Sequence, residues 1–230
     1  ASTFDDLATQ APTNREAQFQ AARLTLQRAV AINPRDPYGY AYLGRLWSAW
    51  AEATDDPATR AERLGRAVEA YDRAIECGPH RPQLYDEAGD VLAAWGRPDF
   101  AIARYRQAEA LTRPTAERLA RLGDVERDRG DVAAARDLYE RALALNDRSA
   151  PASAGVAALD RAAGNLASAI QHAERAMRSQ IRNWIYHRDL ALLYRDAGRR
   201  EEALVEARAA RRYAPAWKQD ELTELVDSLR

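Results

Sequence analysis

The residue types that most often carry nucleophilic, acid–base or metal chemistry are few and scattered in this sequence of 230 residues. There is one cysteine, Cys77, and there are three histidines, His80, His172 and His187. A single cysteine excludes an intrachain disulfide and a cysteine-rich zinc site. No glycine-rich phosphate loop and no grouping of nucleophile, base and orienting residue accompanies the histidines, so we expect no enzyme activity and no cofactor. Cys77 is predicted to be a buried, inert packing thiol, His187 to pack between helices, and the other two histidines to lie on the surface.

Charged residues are abundant but balanced. Lys and Arg total 34 and Asp and Glu total 35, a net charge of -1, which gives no bulk attraction to nucleic acid or to an anionic membrane. RNA recognition by helical repeats needs a basic face, and here acids balance the arginines, so nucleic acid is not expected as a partner. No stretch approaches the ~18 apolar residues of a membrane span, and the N-terminus has no signal-peptide pattern. We expect a soluble domain that does not insert into a membrane; many Arg and Ala beside one lysine are typical of a GC-rich bacterial genome.

Small residues recur with a period of 34 along most of the chain. Two alanine columns lie seven residues apart, which places both on one helix face. The first alanine column is Ala67, Ala101, Ala135, Ala169 and Ala203. Five residues before its last four members stand Gly96, Gly130, Gly164 and Gly198, which predict a turn between two helices. A further column admits only small residues, Gly89, Gly123, Ala157 and Ala191, and we attribute it to a helix backbone that passes close by.

A helix–turn–helix unit with this period resembles the tetratricopeptide repeat (TPR). The segment 82–114 carries nearly all of the motif, in Tyr85, Ala88, Gly89, Leu92, Gly96, Ala101, Tyr105 and Ala108. The resemblance covers residues from about 20 to 216. It implies an all-α fold, an α-solenoid of stacked hairpins in a right-handed superhelix. It also implies a concave groove, lined by the first helix of each repeat, that binds extended peptides or helices.

These registers divide the chain into an arm, an array and a cap. The segments are an N-terminal arm 1–19, a half-repeat 20–35, a long repeat 36–81, repeats 82–115, 116–149, 150–183 and 184–216, and a capping helix 217–230. Pro12 and Asn14 are expected to interrupt any helix in the arm. Either Phe4 and Leu7 fold over the half-repeat, or its missing partner helix was lost with an upstream segment.

The long repeat contains eleven extra residues between Gly44 and Ala67. Asp56 followed by Pro57 predicts a helix start in the middle of this insertion. We therefore expect both helices of this repeat to be lengthened.

The resemblance places ten residues of the first helices on the groove wall. These candidate partner-binding residues are Tyr38, Arg45, Asp86, Asp90, Glu117, Asp124, Arg127, Arg161, Arg188 and Arg195. Most of the acids precede most of the arginines, so we expect a partner with an acidic segment at the arginine end. Pairs within the groove, such as Asp124 with Arg161, or simple solvation explain the same pattern equally well. The family's clamp for chaperone tails that end in Glu-Glu-Val-Asp uses Lys and Asn, and it is absent, since those columns hold Ala41, Arg45, Asp86 and Asp90.

The function predicted from these patterns is a non-enzymatic scaffold that binds a protein or peptide partner. Two alternatives stay open. The long hairpin and the segment 79–89 resemble the TPR tails of bacterial O-antigen-ligase-like membrane proteins, and the missing initiator Met agrees with excision from such a longer protein. The unpaired half-repeat could instead stack on a second copy and build a self-assembling scaffold.

Overall fold

The computed structural model describes residues 12–230, and these contain twelve α-helices, one 3-10 turn and no strand. Phe4 and Leu7 lie outside the described residues. The helices are α1 (Pro12–Ile32), α2 (Pro37–Glu52), α3 (Pro57–Cys77), α4 (Pro82–Ala94), α5 (Pro98–Leu111), α6 (Ala116–Asp128), α7 (Val132–Leu145), α8 (Ala150–Ala162), α9 (Leu166–Ser179), α10 (Trp184–Asp196), α11 (Arg200–Tyr213) and α12 (Gln219–Ser228). They pack as consecutive hairpins, which confirms the predicted helical repeat fold. None of these helices is long and apolar enough to cross a bilayer.

The chain forms two compact units, which divide between Arg113 and Pro114. Unit 1 ends at Arg113 and contains α1 to α5. Unit 2 begins at Pro114 and contains α6 to α12.

Glycine residues form the turns between four pairs of helices. Four glycines have a positive φ between 72° and 88°, a region that costs other residues Cβ strain. They are Gly96, Gly130, Gly164 and Gly198, the four turn glycines of the sequence pattern. Each one ends the first helix of a hairpin and starts the second, as the spacing predicts.

The column of small residues has a different cause from the one the sequence suggests. A β-carbon on Gly44, Gly89 or Gly123 would lie only 2.5–2.6 Å from a tyrosine ring on the second helix of the same hairpin. The prediction of a close helix backbone is therefore wrong, because the neighbour is an aromatic side chain. The three ring partners are Tyr71, Tyr105 and Tyr139.

Unit 1 is built around the lengthened hairpin. Helices α2 and α3 have 16 and 21 residues where α4 and α5 have 13 and 14, and their turn has one more residue. Together these differences account for all eleven inserted residues, so both helices are extended as predicted. Asp56 caps α3 by accepting a hydrogen bond from the Thr59 N–H at 2.8 Å, with Pro57 in the first turn.

Helix α1 packs on this hairpin through aromatic rings. Phe19 is fully buried and stacks on Trp50, with 5.5 Å between ring centroids, and Trp47 stacks on the same indole. Pro12 is the first described residue of α1 and Asn14 lies inside the helix, so the prediction that Asn14 interrupts a helix is wrong. Proline is tolerated in a first turn because the missing N–H has no intrahelical partner there.

Unit 2 consists of three hairpins and a terminal helix. Its core is rich in alanine, with Tyr139 fully buried in the first hairpin. Helix α12 packs on α11, and its Leu222 and Val226, with Leu229 just after the helix, are almost fully buried.

Candidate partner-binding surface

The site residues of unit 1 are joined to neighbours rather than left free. Arg45 on α2 donates two hydrogen bonds to the Glu87 carboxylate on α4, with Nε at 2.9 Å. The hydrogen bond to Glu87 raises the pKa of Arg45, and burial is the main cause of a raised pKa at the neighbouring Tyr71. Arg45, Ser48 and Asp90 line a cavity of about 320 Å³. The Arg45 guanidinium, which the sequence predicts to contact a ligand, is therefore already paired with Glu87, a residue that the sequence analysis does not identify.

The remaining candidate residues in unit 1 are likewise hydrogen-bonded to neighbouring side chains or buried. The Tyr105 hydroxyl donates to the Asp90 carboxylate at 2.8 Å. Arg81 stacks over the Tyr38 ring, 4.7 Å from its centroid, and donates to the Tyr38 hydroxyl. Asp86 is buried in α4.

In unit 2 the first two candidates lie on α6 among acids. Glu117 is exposed in the first turn. Asp124 accepts hydrogen bonds from the Tyr139 hydroxyl at 2.7 Å and from Arg127 Nη1 at 3.0 Å. Burial raises the pKa of Asp124 by more than these two hydrogen bonds lower it. The alternative pairing of Asp124 with Arg161 is not among its hydrogen bonds or ion pairs.

Arg127 does not add to a basic cluster. Its Nη2 donates to Asp128 at 2.9 Å while its Nη1 binds Asp124, so one guanidinium lies between two carboxylates. The formal charge of this group is -1. The positive charge of Arg127 is therefore outweighed by its two carboxylate neighbours.

Arg161 and Arg195 instead share a single carboxylate. Arg161 on α8 donates through Nε and Nη2 to Asp196 Oδ2 at 2.9 and 2.5 Å. Arg195 on α10 donates through Nη2 to Oδ1 of the same side chain at 3.1 Å. Burial would raise the pKa of Asp196, but the hydrogen bonds from both arginines lower it below its ordinary value. Two guanidinium groups around one carboxylate leave a formal charge of +1.

The last candidate, Arg188, lies one helical turn or more from this group on α10. Its Nε and Nη2 both donate to Asp189 Oδ1, at 2.9 and 2.7 Å, and its guanidinium stacks over Trp184. The pair is neutral as a whole. Arg188 therefore positions the Asp189 carboxylate more than it contributes positive charge.

Beside the shared carboxylate, a cavity of about 460 Å³ opens between α8 and α10. We call it the alanine pocket. Its apolar walls are Ala154, Ala157, Ala158, Ala173, Ala176 and Leu193. Arg161, Tyr186 and Asp189 supply its polar groups. Burial, and then the charges of Asp124 and Asp189, raise the pKa of Tyr186.

The alanine pocket was not foreseen, although the sequence holds its signal. The pairing of a small residue on the first helix with tyrosine on the second breaks at the fourth repeat, where Ala157 and Ala173 stand. The spacing of the residues alone does not show that the two columns face each other, so it does not predict the space left by the missing ring.

Residues with potential for catalysis stay apart. Within residues 12–230 no three metal-binding side chains form a group that could hold an ion. His187 is buried between helices as predicted, with Nδ1 2.6 Å from Glu206 and Nε2 2.9 Å from the Ile181 carbonyl. Cys77 is only partly buried and His172 is half-buried, so both expectations of their exposure need correction.

Comparisons with known proteins identify the fold. No protein-family model matches the sequence, and no curated protein matches it either. Among solved structures, PilF of Pseudomonas aeruginosa is 17% identical, covers 97% of this chain and 96% of its own, and has a TM-score of 0.61. TTC0263, a thermophilic TPR protein of Thermus thermophilus, is 19% identical over 81% of this chain and 98% of its own, with a TM-score of 0.63.

A third similar structure is the human IFIT1 dimer with PPP-AAAA. It is 15% identical, covers 90% of this chain but only 49% of its own length, and has a TM-score of 0.66. At these identities the likeness shows the fold alone, which is that of TPR solenoids. These structures give no support to the resemblance to O-antigen-ligase-like proteins.

Proposed function

We propose that this chain is a non-enzymatic protein-interaction scaffold and that unit 2 binds an extended segment of a partner protein across α6, α8 and α10. The observation that carries the proposal is the juxtaposition of a charged group and an apolar pocket. Arg161 both lines the alanine pocket and binds Asp196 together with Arg195. Interfaces draw most of their affinity from apolar anchors, with charged groups that fix orientation.

The charges suggest a direction for the bound segment. The group around Arg127 has a formal charge of -1 and the group around Asp196 has a formal charge of +1, as their hydrogen bonds show. An acidic residue of the partner is expected near Arg161 and Arg195, where guanidinium forks suit a carboxylate. A basic residue is expected near Asp124 and Asp128. We favour protein over nucleic acid because the two groups have opposite formal charges, which gives no continuous basic surface for a phosphate backbone.

The test uses peptides selected from a displayed library of random dodecapeptides. We expect the double variant Arg161→Glu, Arg195→Glu to lose at least tenfold in affinity for the selected peptides, and parent binding to weaken as salt rises. Arg178→Glu is the matched control, because Arg178 is an exposed arginine on α9 of the same unit. Failure to select any peptide, or equal losses in both variants, would refute this surface as the binding site.

A second proposal is self-association through the N-terminal half-repeat. It is favoured by the outer side of α1, which exposes Leu24 and Ile32 at 49% and 86%. Multi-angle light scattering over a hundredfold concentration range should then show a dimer that Leu24→Glu converts to a monomer. A monomer at every concentration would remove this proposal and leave the first intact.

A further inference from the structure

Three hairpins fill the space beneath their first helix with a tyrosine ring. Tyr71, Tyr105 and Tyr139 are all nearly or fully buried, and each lies against a glycine where no β-carbon would fit. The ring of Tyr139 has glycine on two sides, since a β-carbon on Gly155 of α8 would lie 2.3 Å from it. The hydroxyl of the same tyrosine donates to the Asp124 carboxylate at 2.7 Å. Ring and carboxylate therefore form one packed unit.

The next hairpin loses this unit as a whole. Ala173 stands where the tyrosine would be, Ala158 stands where the aspartate would be, and Ala157 replaces the glycine. The space is not closed by the neighbouring helix, because α10 does not approach α8 as closely as α6 does. The result is the alanine pocket, whose volume of about 460 Å³ lies in the range of ligand-binding cavities.

The pocket keeps an acceptor for a phenol. Asp189 lines it, and both hydrogen bonds that this side chain accepts, from Arg188, go to Oδ1. Within the described residues nothing donates to Asp189 Oδ2. A phenol in the pocket thus has nearby a carboxylate oxygen to which no described residue donates, comparable to the Asp124 carboxylate that accepts from Tyr139.

We propose that the alanine pocket is the recognition site for a tyrosine side chain of the partner segment, next to an acidic residue that binds Arg161. This inference rests on the proposed function and specifies its ligand. The partner's ring would occupy the space that a tyrosine of the chain itself fills in the three preceding hairpins. Its hydroxyl would donate to Asp189 Oδ2, and Arg161, which lines the same pocket, supplies the complementary charge for the adjacent carboxylate.

The first experiment uses p-cresol, the side-chain analogue of tyrosine, as the probe. The protein is labelled at alanine methyl groups and titrated in an NMR experiment, with toluene as the analogue that lacks the hydroxyl. We expect p-cresol to shift the methyl resonances of Ala154, Ala158 and Ala173 and to bind more tightly than toluene. Asp189→Asn should reduce the difference between the two probes.

A variant with a filled pocket tests whether p-cresol binds in the alanine pocket. Ala158 is exposed at the pocket wall, so Ala158→Leu should occupy the cavity without disturbing the helix. Ala167→Leu makes the same change at an exposed position of α9 that does not line the cavity. We expect the first variant to abolish the p-cresol shifts and the second to keep them.

The second experiment separates this inference from the function on which it rests. Peptides selected on the parent should contain a tyrosine beside an acidic residue. Replacing that tyrosine by alanine, or using Ala158→Leu, should each weaken binding at least tenfold, and the combination should cost no more than either change alone. Peptides that bind through Arg161 and Arg195 but ignore Ala158→Leu would overturn the tyrosine site and leave the scaffold function standing. Binding of p-cresol with no selectable peptide would overturn both and assign the pocket to a small aromatic molecule.

Discussion

A β-carbon on Gly123 would lie 2.6 Å from the ring of Tyr139, a distance that real β-carbon contacts essentially never show. The two residues belong to α6 and α7, so the glycine is required by its hairpin partner and not by its own backbone. The same relationship joins Gly89 to Tyr105 and Gly44 to Tyr71.

We therefore predict that Gly123→Leu destabilises unit 2 by about 1–3 kcal/mol, the usual cost of overpacking. Gly89→Leu should do the same in unit 1. Chemical denaturation is the measurement, and Ala157→Leu is the control, because Ala157 faces Ala173 and a cavity instead of a ring. In a Tyr139→Ala background the leucine at position 123 should cost much less. Equal cost in both backgrounds would exclude the ring as the cause.

The turn glycines give a prediction of a different kind. No atom lies within 4 Å of a β-carbon built on Gly96, whose φ is 72°. Gly96→Ala should therefore cost about 1–2 kcal/mol through backbone strain alone, and Gly96→Asn less. Gly65→Ala, inside α3 of the same unit, is the opposite control and should stabilise by roughly 0.5–1 kcal/mol. The new β-carbon would make an ordinary contact there, 3.5 Å from Trp95. Denaturation midpoints that move in the same direction for both alanines would contradict this account.

Trp50 is predicted to hold α1 in place. It stacks on Phe19, its Nε1 donates to Glu16 at 2.8 Å, and Arg63 of α3 donates to its carbonyl at 2.8 Å. Trp50→Ala should cost about 3–5 kcal/mol, as is usual for a buried aromatic. Hydrogen exchange should show α1 unprotected while the rest of unit 1 stays protected.

The control for this change is Trp217→Ala, since the Trp217 side chain is 41% exposed. It should leave protection unchanged. Deletion of the eleven inserted residues should also release α1, because Trp50 and Arg63 both lie in the extensions of their helices. Continued protection of α1 after the deletion would show that contacts other than those of Trp50 and Arg63 hold α1 in place.

Asp160 should make part of the stability of unit 2 depend on pH. It is 5% exposed and accepts hydrogen bonds of 2.6 Å from Arg136 and from Ser168. Burial opposes the charge, but the hydrogen bonds from Ser168 and Arg136 hold the pKa of Asp160 below its ordinary value. Its folded-state pKa is thus lower than its unfolded one, so the stabilisation is present above about pH 4 and is lost as pH falls through the folded pKa.

We expect Asp160→Asn to be about 1–3 kcal/mol less stable than the parent at pH 7, and the difference to shrink below pH 4. Denaturation curves at a series of pH values measure this. Asp137→Asn removes an exposed partner of Arg141 and should change stability little at any pH. A parent–variant difference that is constant between pH 7 and pH 3 would refute the assignment.

The repeat fold could be derived from sequence because its signals are local. A glycine with positive φ and an alanine column report on the neighbouring turn of the same hairpin, so Gly96 and Ala101 predict their surroundings directly. The charged surface could not be derived in the same way. Whether Arg161 pairs with Asp124 or with Asp196 depends on side-chain rotamers and on how adjacent hairpins stack. The repeat pattern of the sequence specifies neither of these.

The pocket illustrates the same limit from the apolar side. Ala157 and Ala173 each fit their columns, and neither substitution is unusual for a repeat. The contact between Gly123 and Tyr139 shows that the two columns pack against each other. Once this contact is known, the replacement of both residues by alanine at positions 157 and 173 indicates a cavity.

The unequal extension of the first hairpin has a consequence for how its length can vary. Helix α2 is longer than α4 by three residues and α3 is longer than α5 by seven, about 0.8 and 1.9 turns of 3.6 residues. Leu64, the first residue of α3 after its extension, is buried in the core. Insertions of other sizes would rotate one helix of the hairpin relative to the other and expose its apolar face. The length of this hairpin is therefore expected to change by whole helical turns of about 5.4 Å rather than by single residues.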